Sequence, residues 1–165
     1  MAKSRTVSIA AALAAALLLS ACAKNPTDDP GGLNLGLDGA AAARGSTQDF
    51  IVNVGDRVFF ETDSAELTAQ ARATLDNQAR WMNQYPRNTF TIEGHADERG
   101  TREYNIALGA RRASAVNDFL VARGVAATRL QTISYGKERP VAVCNDISCW
   151  SQNRRAVTVV SGPQA

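Results

Sequence analysis

The apolar residues between positions 57 and 160 change period several times, and that alternation limits the folds open to this chain. Arg57-Val58-Phe59-Phe60 is β-branched and aromatic and reads as a strand. Leu67, Ala71, Leu75, Ala79 and Met82 then recur at helical spacing, and Pro86 closes that helix. Its start has two candidate signals, the capping-box spacing of Asp63-Ser64-Ala65-Glu66 and Thr68 as an N-cap. Thr89-Phe90-Thr91-Ile92-Glu93 alternates as a strand, and Gly100 punctuates the loop that follows. Helical period returns from Asn105 to Arg123 and stops at Gly124, a suitable C′ residue. Leu130 to Tyr135 and Arg155 to Val160 read as two further strands. The order β-α-β-α-β-β predicts an α+β sandwich with helices packed on one face of a four-stranded sheet. No internal repeat is visible. A domain over about residues 50–162 accounts for most of the 165 residues.

The first 49 residues look different. Lys3 and Arg5 form a short positive region, and Val7 to Leu19 is apolar and too short to span a bilayer comfortably. This run ends in Leu19-Ser20-Ala21-Cys22, which resembles the lipobox of bacterial lipoproteins. That resemblance implies a signal peptide over 1–21 and a diacylglyceryl thioether plus an N-acyl group on Cys22. Several acyl chains anchor where one is marginal, because each buried CH₂ contributes about 0.8 kcal/mol. An ordinary signal peptide cut near Ala21, with Cys22 incidental, is the alternative. Ala23, rather than Asp, implies the outer membrane. Residues 22–49 then read as the lipidated N-terminus and a flexible linker, with Pro26, Pro30 and the turn-forming Asp28-Asp29-Pro30-Gly31-Gly32. As a coil it spans about 29 Å. An edge strand through Leu33, Leu35 and Leu37 is the competing reading. The net charge is +2, and Lys3 and Arg5 account for all of it. A neutral chain from Cys22 onward excludes a sequence-independent nucleic-acid binder, which needs a basic face, and a polybasic membrane-surface protein.

Asp97 and Arg112 lie too far apart in sequence to meet on one helix, where they would be about 22 Å apart. Gly100 breaks such a helix. With Asn105 as N-cap, the 97–104 loop folds back over Arg112, and Asn105, Leu108 and Arg112 share one stripe. An acid and a guanidinium in one cleft suit a zwitterionic ligand, since Arg112 can grip a carboxylate bidentately while Asp97 takes an ammonium. A structural ion pair between the two is the plainer reading.

Four stretches resemble the OmpA-like peptidoglycan-binding domain family: Val58-Phe59-Phe60-Glu61-Thr62-Asp63, Gly94-His95-Ala96-Asp97-Glu98-Arg99-Gly100-Thr101, Asn105 to Ala113, and Asn153-Arg154-Arg155. The resemblance covers residues 57 to 160, nearly the whole domain, with the stretches in order and behind a lipobox. The resemblance implies a non-enzymatic domain without cofactor or metal that binds diaminopimelate of the cell-wall stem peptide through Asp97 and Arg112. Asp63 and Thr62 match positions on the loop after the first strand that contribute to the cleft. Thr62 stands where many relatives carry an aromatic residue. Thr101, Asn105 and Leu108 are further candidates, and Arg154 is read as ordering the cleft or sheet. For a lipid-anchored member the resemblance implies an outer-membrane tether in the Tol envelope complex. It further implies TolB as a competing partner, TolA less directly, and a role in cell division. A wall-binding accessory lipoprotein of another envelope machine, and a peptidoglycan-cutting enzyme, are the alternatives. His95, the sole histidine, reads as a hydrogen-bonding structural residue, and one histidine is poor material for a zinc site. With Cys22 assigned to lipid, Cys144 and Cys149 remain as an even pair. The periplasm permits a bridge between them, with free thiols the alternative. Trp150 reads as packing or as part of a partner surface.

Overall fold

The computed structural model describes residues 43–162. The signal peptide, Cys22 and the linker through residue 42, with its alternating leucines, lie outside the described residues.

One sheet holds four strands, β1 (Arg57–Phe59), β2 (Phe90–His95), β3 (Leu130–Gly136) and β4 (Arg155–Val160), in the order β1-β4-β2-β3. β4 pairs antiparallel with both β1 and β2, while β2 and β3 run parallel. A parallel pair needs a crossover, and the long helix over Arg102–Ala122 supplies it. Four helices are described: α1 (Thr47–Asp49), α2 (Ala69–Gln84), α3 (Arg102–Ala122) and α4 (Ile147–Asn153). The predicted order of the long elements is the observed one, and α1 and α4 are additions to it.

The ends of the helices follow local chemistry. Thr68 caps α2 by accepting from the Ala71 N–H, so the capping-box alternative at Asp63 is not used. Thr101 caps α3 by accepting from the Tyr104 N–H at 3.2 Å. This corrects the expectation that Asn105 is the N-cap. Asn105 sits one turn inside, buried, and donates to the carbonyls of Arg99 and Thr101. Gly124, at φ +88°, ends α3.

α2 and α3 cover the same sheet face. Gln78 of α2 bonds Thr158 of β4, and Gly109 of α3 lies against Gly94 of β2. A Cβ on Gly94 would stand 1.9 Å from the Gly109 carbonyl oxygen, so helix and strand touch backbone to backbone. The core between the layers includes Val58, Leu75, Met82, Ile92, Val116, Leu120 and Ala156. Residues 43–49, assigned above to the linker, pack onto this unit. Asp49 is buried and accepts from the Trp81 indole at 2.8 Å and the Gly45 N–H at 2.9 Å. Phe50 then packs on Trp81 and Phe90.

Candidate functional site

Two loops meet at one end of the sheet, residues 60–68 after β1 and residues 96–101 after β2. Arg112, two to three turns into α3, ties them together from beneath. Its Nε donates to the Ser64 carbonyl (2.8 Å), its Nη2 to the Glu61 carbonyl (3.0 Å) and its Nη1 to the His95 carbonyl (2.8 Å). The guanidinium lies over the Phe60 ring and has no exposed surface. Burial, then the charge of Arg154, pulls its pKa down to about 10, so it stays cationic at neutral pH.

Above it lies a cleft of about 290 Å³. Of the residues singled out from sequence, Thr62, Asp63, Asp97, Asn105 and Leu108 line it. Arg112 does not, and Asp97 is paired with Arg99 rather than with Arg112. Thr101 serves as the helix cap and is exposed. Arg154 is buried behind the cleft, with Nε donating to the Phe60 carbonyl at 3.1 Å and Nη1 3.5 Å from Asp97 Oδ2.

Arg99, Gly100 and Tyr104 also line the cleft, and sequence reasoning passed over them. Arg99 forks onto Asp97, Nε to Oδ1 at 3.0 Å and Nη2 to Oδ2 at 2.7 Å, and its backbone N–H adds a third bond. Burial works to raise the Asp97 carboxyl, but the Arg99 bonds and the charge of Arg154 outweigh it and hold it below the usual carboxylate range. The Tyr104 hydroxyl donates to Asp63, which raises the tyrosine pKa. Asp63 has φ +56°, the one positive value outside glycine among the described residues. In that left-handed position Asp63 lines the cleft. Gly100 (φ +85°) lets the loop turn into α3.

The cleft therefore presents two carboxylates and one exposed guanidinium within a small volume, with a second guanidinium buried below. A larger hollow of about 500 Å³ beside β1 and the start of α2 shares no lining residue with the cleft, although Arg154, which lies behind Asp97, lines it. The smaller cleft has the charge pairing that a zwitterion needs.

His95 does not behave as expected. It is buried, and neither ring nitrogen has a hydrogen-bond partner, the Glu93 carboxylate lying 3.6 Å away. Burial, with Arg155 and Arg139 nearby, lowers its pKa to about 4, so the ring is neutral near pH 7. Its backbone carbonyl, not its side chain, serves the site. Cys144 and Cys149 are bridged, with Cα atoms 5.7 Å apart. Among the described residues no group of three or more His, Cys, Asp or Glu side chains is placed to hold a metal.

Residues 59–154 match the OmpA family. The chain is 64% identical over 152 residues to a peptidoglycan-associated lipoprotein of Mesorhizobium japonicum, covering 92% of this chain and 90% of the relative. It is 65% identical over 153 residues to one from Rhizobium meliloti, covering 92% and 86%. The fold is similar to the crystal structure of the peptidoglycan-associated lipoprotein from Burkholderia pseudomallei. The TM-score is 0.63 and the identity 42%, over 64% of this chain and 90% of that one. The C-terminal domain of Helicobacter pylori MotB shares the fold alone, with TM-score 0.61 and 24% identity, over 66% of this chain and 85% of that one.

Proposed function

The chain belongs to the OmpA family and, within it, to the peptidoglycan-associated lipoproteins, and from that membership we propose that it ties the outer membrane to the cell wall without covalent linkage to the wall. Acyl chains on Cys22 hold the membrane end, residues 23–42 span the gap, and the domain grips a stem peptide. The observation that carries the reading is the cleft at Asp97, where charges of both signs face one small volume. Diaminopimelate carries an ammonium and a carboxylate on one side-chain carbon, and the cleft offers each a counter-charge. Asp97 takes the ammonium, with Asp63 reinforcing its field. The Arg99 guanidinium in the cleft wall takes the carboxylate, and Arg112, buried below, adds its positive field and, by holding the carbonyls of Glu61, Ser64 and His95, keeps both loops in place. Thr62, Asn105 and Leu108 shape the walls, Thr101 caps the helix that carries two of them, and Arg154 braces Asp97.

Nothing in this mechanism breaks a bond, and the protein acts as a clamp rather than an enzyme. Its setting is the Tol-Pal complex, with TolB competing for the same domain and TolA linked less directly, and the clamp serves envelope constriction at division. Competition is a population shift, TolB favouring a state whose cleft is poor for the wall.

The test is sedimentation of the protein with purified sacculi. Wild type pellets with them, and Asp97→Asn, which keeps shape but loses charge, stays in the supernatant. Equal pelleting of the two removes the cleft from the reading. Retention on a TolB column tests the complex separately.

A further inference from the structure

We propose that Trp150 is a positioning residue of the cleft, holding Arg99 forked on Asp97 by stacking against it, with the Cys144–Cys149 bridge holding Trp150 in place. The inference rests on the reading that the cleft takes a zwitterionic side chain.

The chain of contacts is continuous. Asp97 carries the Arg99 fork, which uses Nε and Nη2 and leaves Nη1 for a ligand carboxylate. The Arg99 side chain is 42% exposed, and an exposed pair of this kind contributes little by itself. The Trp150 ring supplies what the pair lacks, with the Arg99 guanidinium carbon 4.2 Å from the ring centroid. The same indole donates from Nε1 to Glu98 Oε1 at 3.0 Å, so two successive loop residues are held by one side chain.

Trp150 rides on α4, a helix of 7 residues that is too short to be stable alone. Two devices outside the core hold it. The bridge joins Cys149 in the helix to Cys144 in the preceding loop. Asn153 accepts from the Val141 and Ala142 N–H groups and donates to the Ala142 carbonyl. No residue of 137–153 belongs to the hydrophobic core cluster, so loosening this flap leaves the core packing intact. Fixing Arg99 sets the distance between the ammonium site on Asp97 and the carboxylate site on Nη1. Such preorganisation raises affinity without a new contact to ligand.

The test is calorimetric titration of the full-length protein in detergent with the tripeptide L-alanyl-γ-D-glutamyl-meso-diaminopimelate. Its L-lysine counterpart, which lacks the side-chain carboxylate, is titrated alongside. Trp150→Ala is expected to weaken the diaminopimelate peptide roughly fivefold to tenfold, the range of one partly desolvated stacking contact. The lysine peptide and the melting temperature should hardly move. Trp150→Phe, which keeps the ring face, should recover most of the loss, and the paired Cys144→Ser, Cys149→Ser variant should fall between. Undiminished or tighter binding by Trp150→Ala overturns the proposal, since Arg99 would then be idle or a competitor. An equal loss for both peptides with a fallen melting temperature also overturns it, reducing Trp150 to packing. If wild type binds neither peptide, the clamp reading fails first and this inference falls with it.

Discussion

Replacing Arg112 by Ala should cost stability as well as binding, and the structure sets the size of the cost. Three carbonyl oxygens, of Ser64, Glu61 and His95, lose their partners. Leaving a buried acceptor unpaired costs about 1–3 kcal/mol; the His95 carbonyl is buried and the other two part-buried, so the three together come to at most roughly 9 kcal/mol. Removing the arginine also relieves the burial, and the repulsion from Arg154, that pull its pKa down to about 10, which returns about 3 kcal/mol. The net expectation is a loss of at most about 6 kcal/mol, with about 3 kcal/mol at the middle of the range, against the roughly 5–15 kcal/mol that holds a domain together. Urea unfolding measures it directly. Arg112→Lys should recover little, because one ammonium cannot reach three carbonyls that converge on a planar fork. Unchanged or increased stability, with stem-peptide binding abolished, would refute the reasoning. Arg112 would then serve the ligand alone, and the two loops would be held by something else.

Other perturbations have equally definite outcomes. Gly94→Ala drives a Cβ to 1.9 Å from the Gly109 carbonyl oxygen, and should cost about 3 kcal/mol or more and lower the melting temperature by more than about 10 °C; an unchanged melting temperature would mean that α3 and β2 slide apart freely. His95 has a folded pKa of about 4 against 6.5 unfolded, so the unfolded chain takes its proton first as the pH falls. Stability from keeping the ring neutral is whole above pH 6.5 and is lost on descent towards pH 4, by about 2–3 kcal/mol at pH 4.5. Urea midpoints at pH 7 and 4.5 should therefore converge less for wild type than for His95→Gln, and parallel behaviour contradicts the assignment. Asp63→Gly relieves the φ +56° strain at the loss of the Tyr104 bond, and should raise the unfolding free energy in urea by up to about 1 kcal/mol while weakening binding to sacculi. A variant that gains stability and keeps full binding would remove Asp63 from the cleft.

The long elements were legible because their apolar period is regular. Leu75, Ala79 and Met82 do face the core, and the strand of Arg155 to Val160 lies at its predicted limits. The start of α3 was placed at Asn105, a good cap by type, but Thr101 caps it one turn earlier and Asn105 turns instead to the loop carbonyls of Arg99 and Thr101. α4 has no repeat to read, since its stability comes from the bridge and from Asn153. For the site, sequence placed Asn105, Leu108 and Arg112 on one stripe, and all three are buried. Asn105 and Leu108 of that stripe line the cleft, and Arg112 lies buried outside its lining. Nothing in the spacing reveals that three backbone carbonyls from two distant loops end on Arg112. Arg99, two residues from Asp97, carried a local signal, a fork across a tight turn, that the more distant pairing with Arg112 obscured. The orphaned nitrogens of His95 were beyond reach, because a strand-end histidine is as often bonded as not until the packing above it is known.

The central claim is that the cleft reads a side chain bearing both an ammonium and a carboxylate. Its most direct test is competition against sacculi by three soluble stem peptides, carrying meso-diaminopimelate, its side-chain amide, or lysine. The account predicts that the diaminopimelate peptide releases the protein from the sacculi. The amide and lysine peptides should need at least about tenfold more, since each removes the carboxylate and keeps the ammonium. Equal competition by all three would contradict it, leaving Asp97 and its arginines as parts of the fold and not of a ligand site.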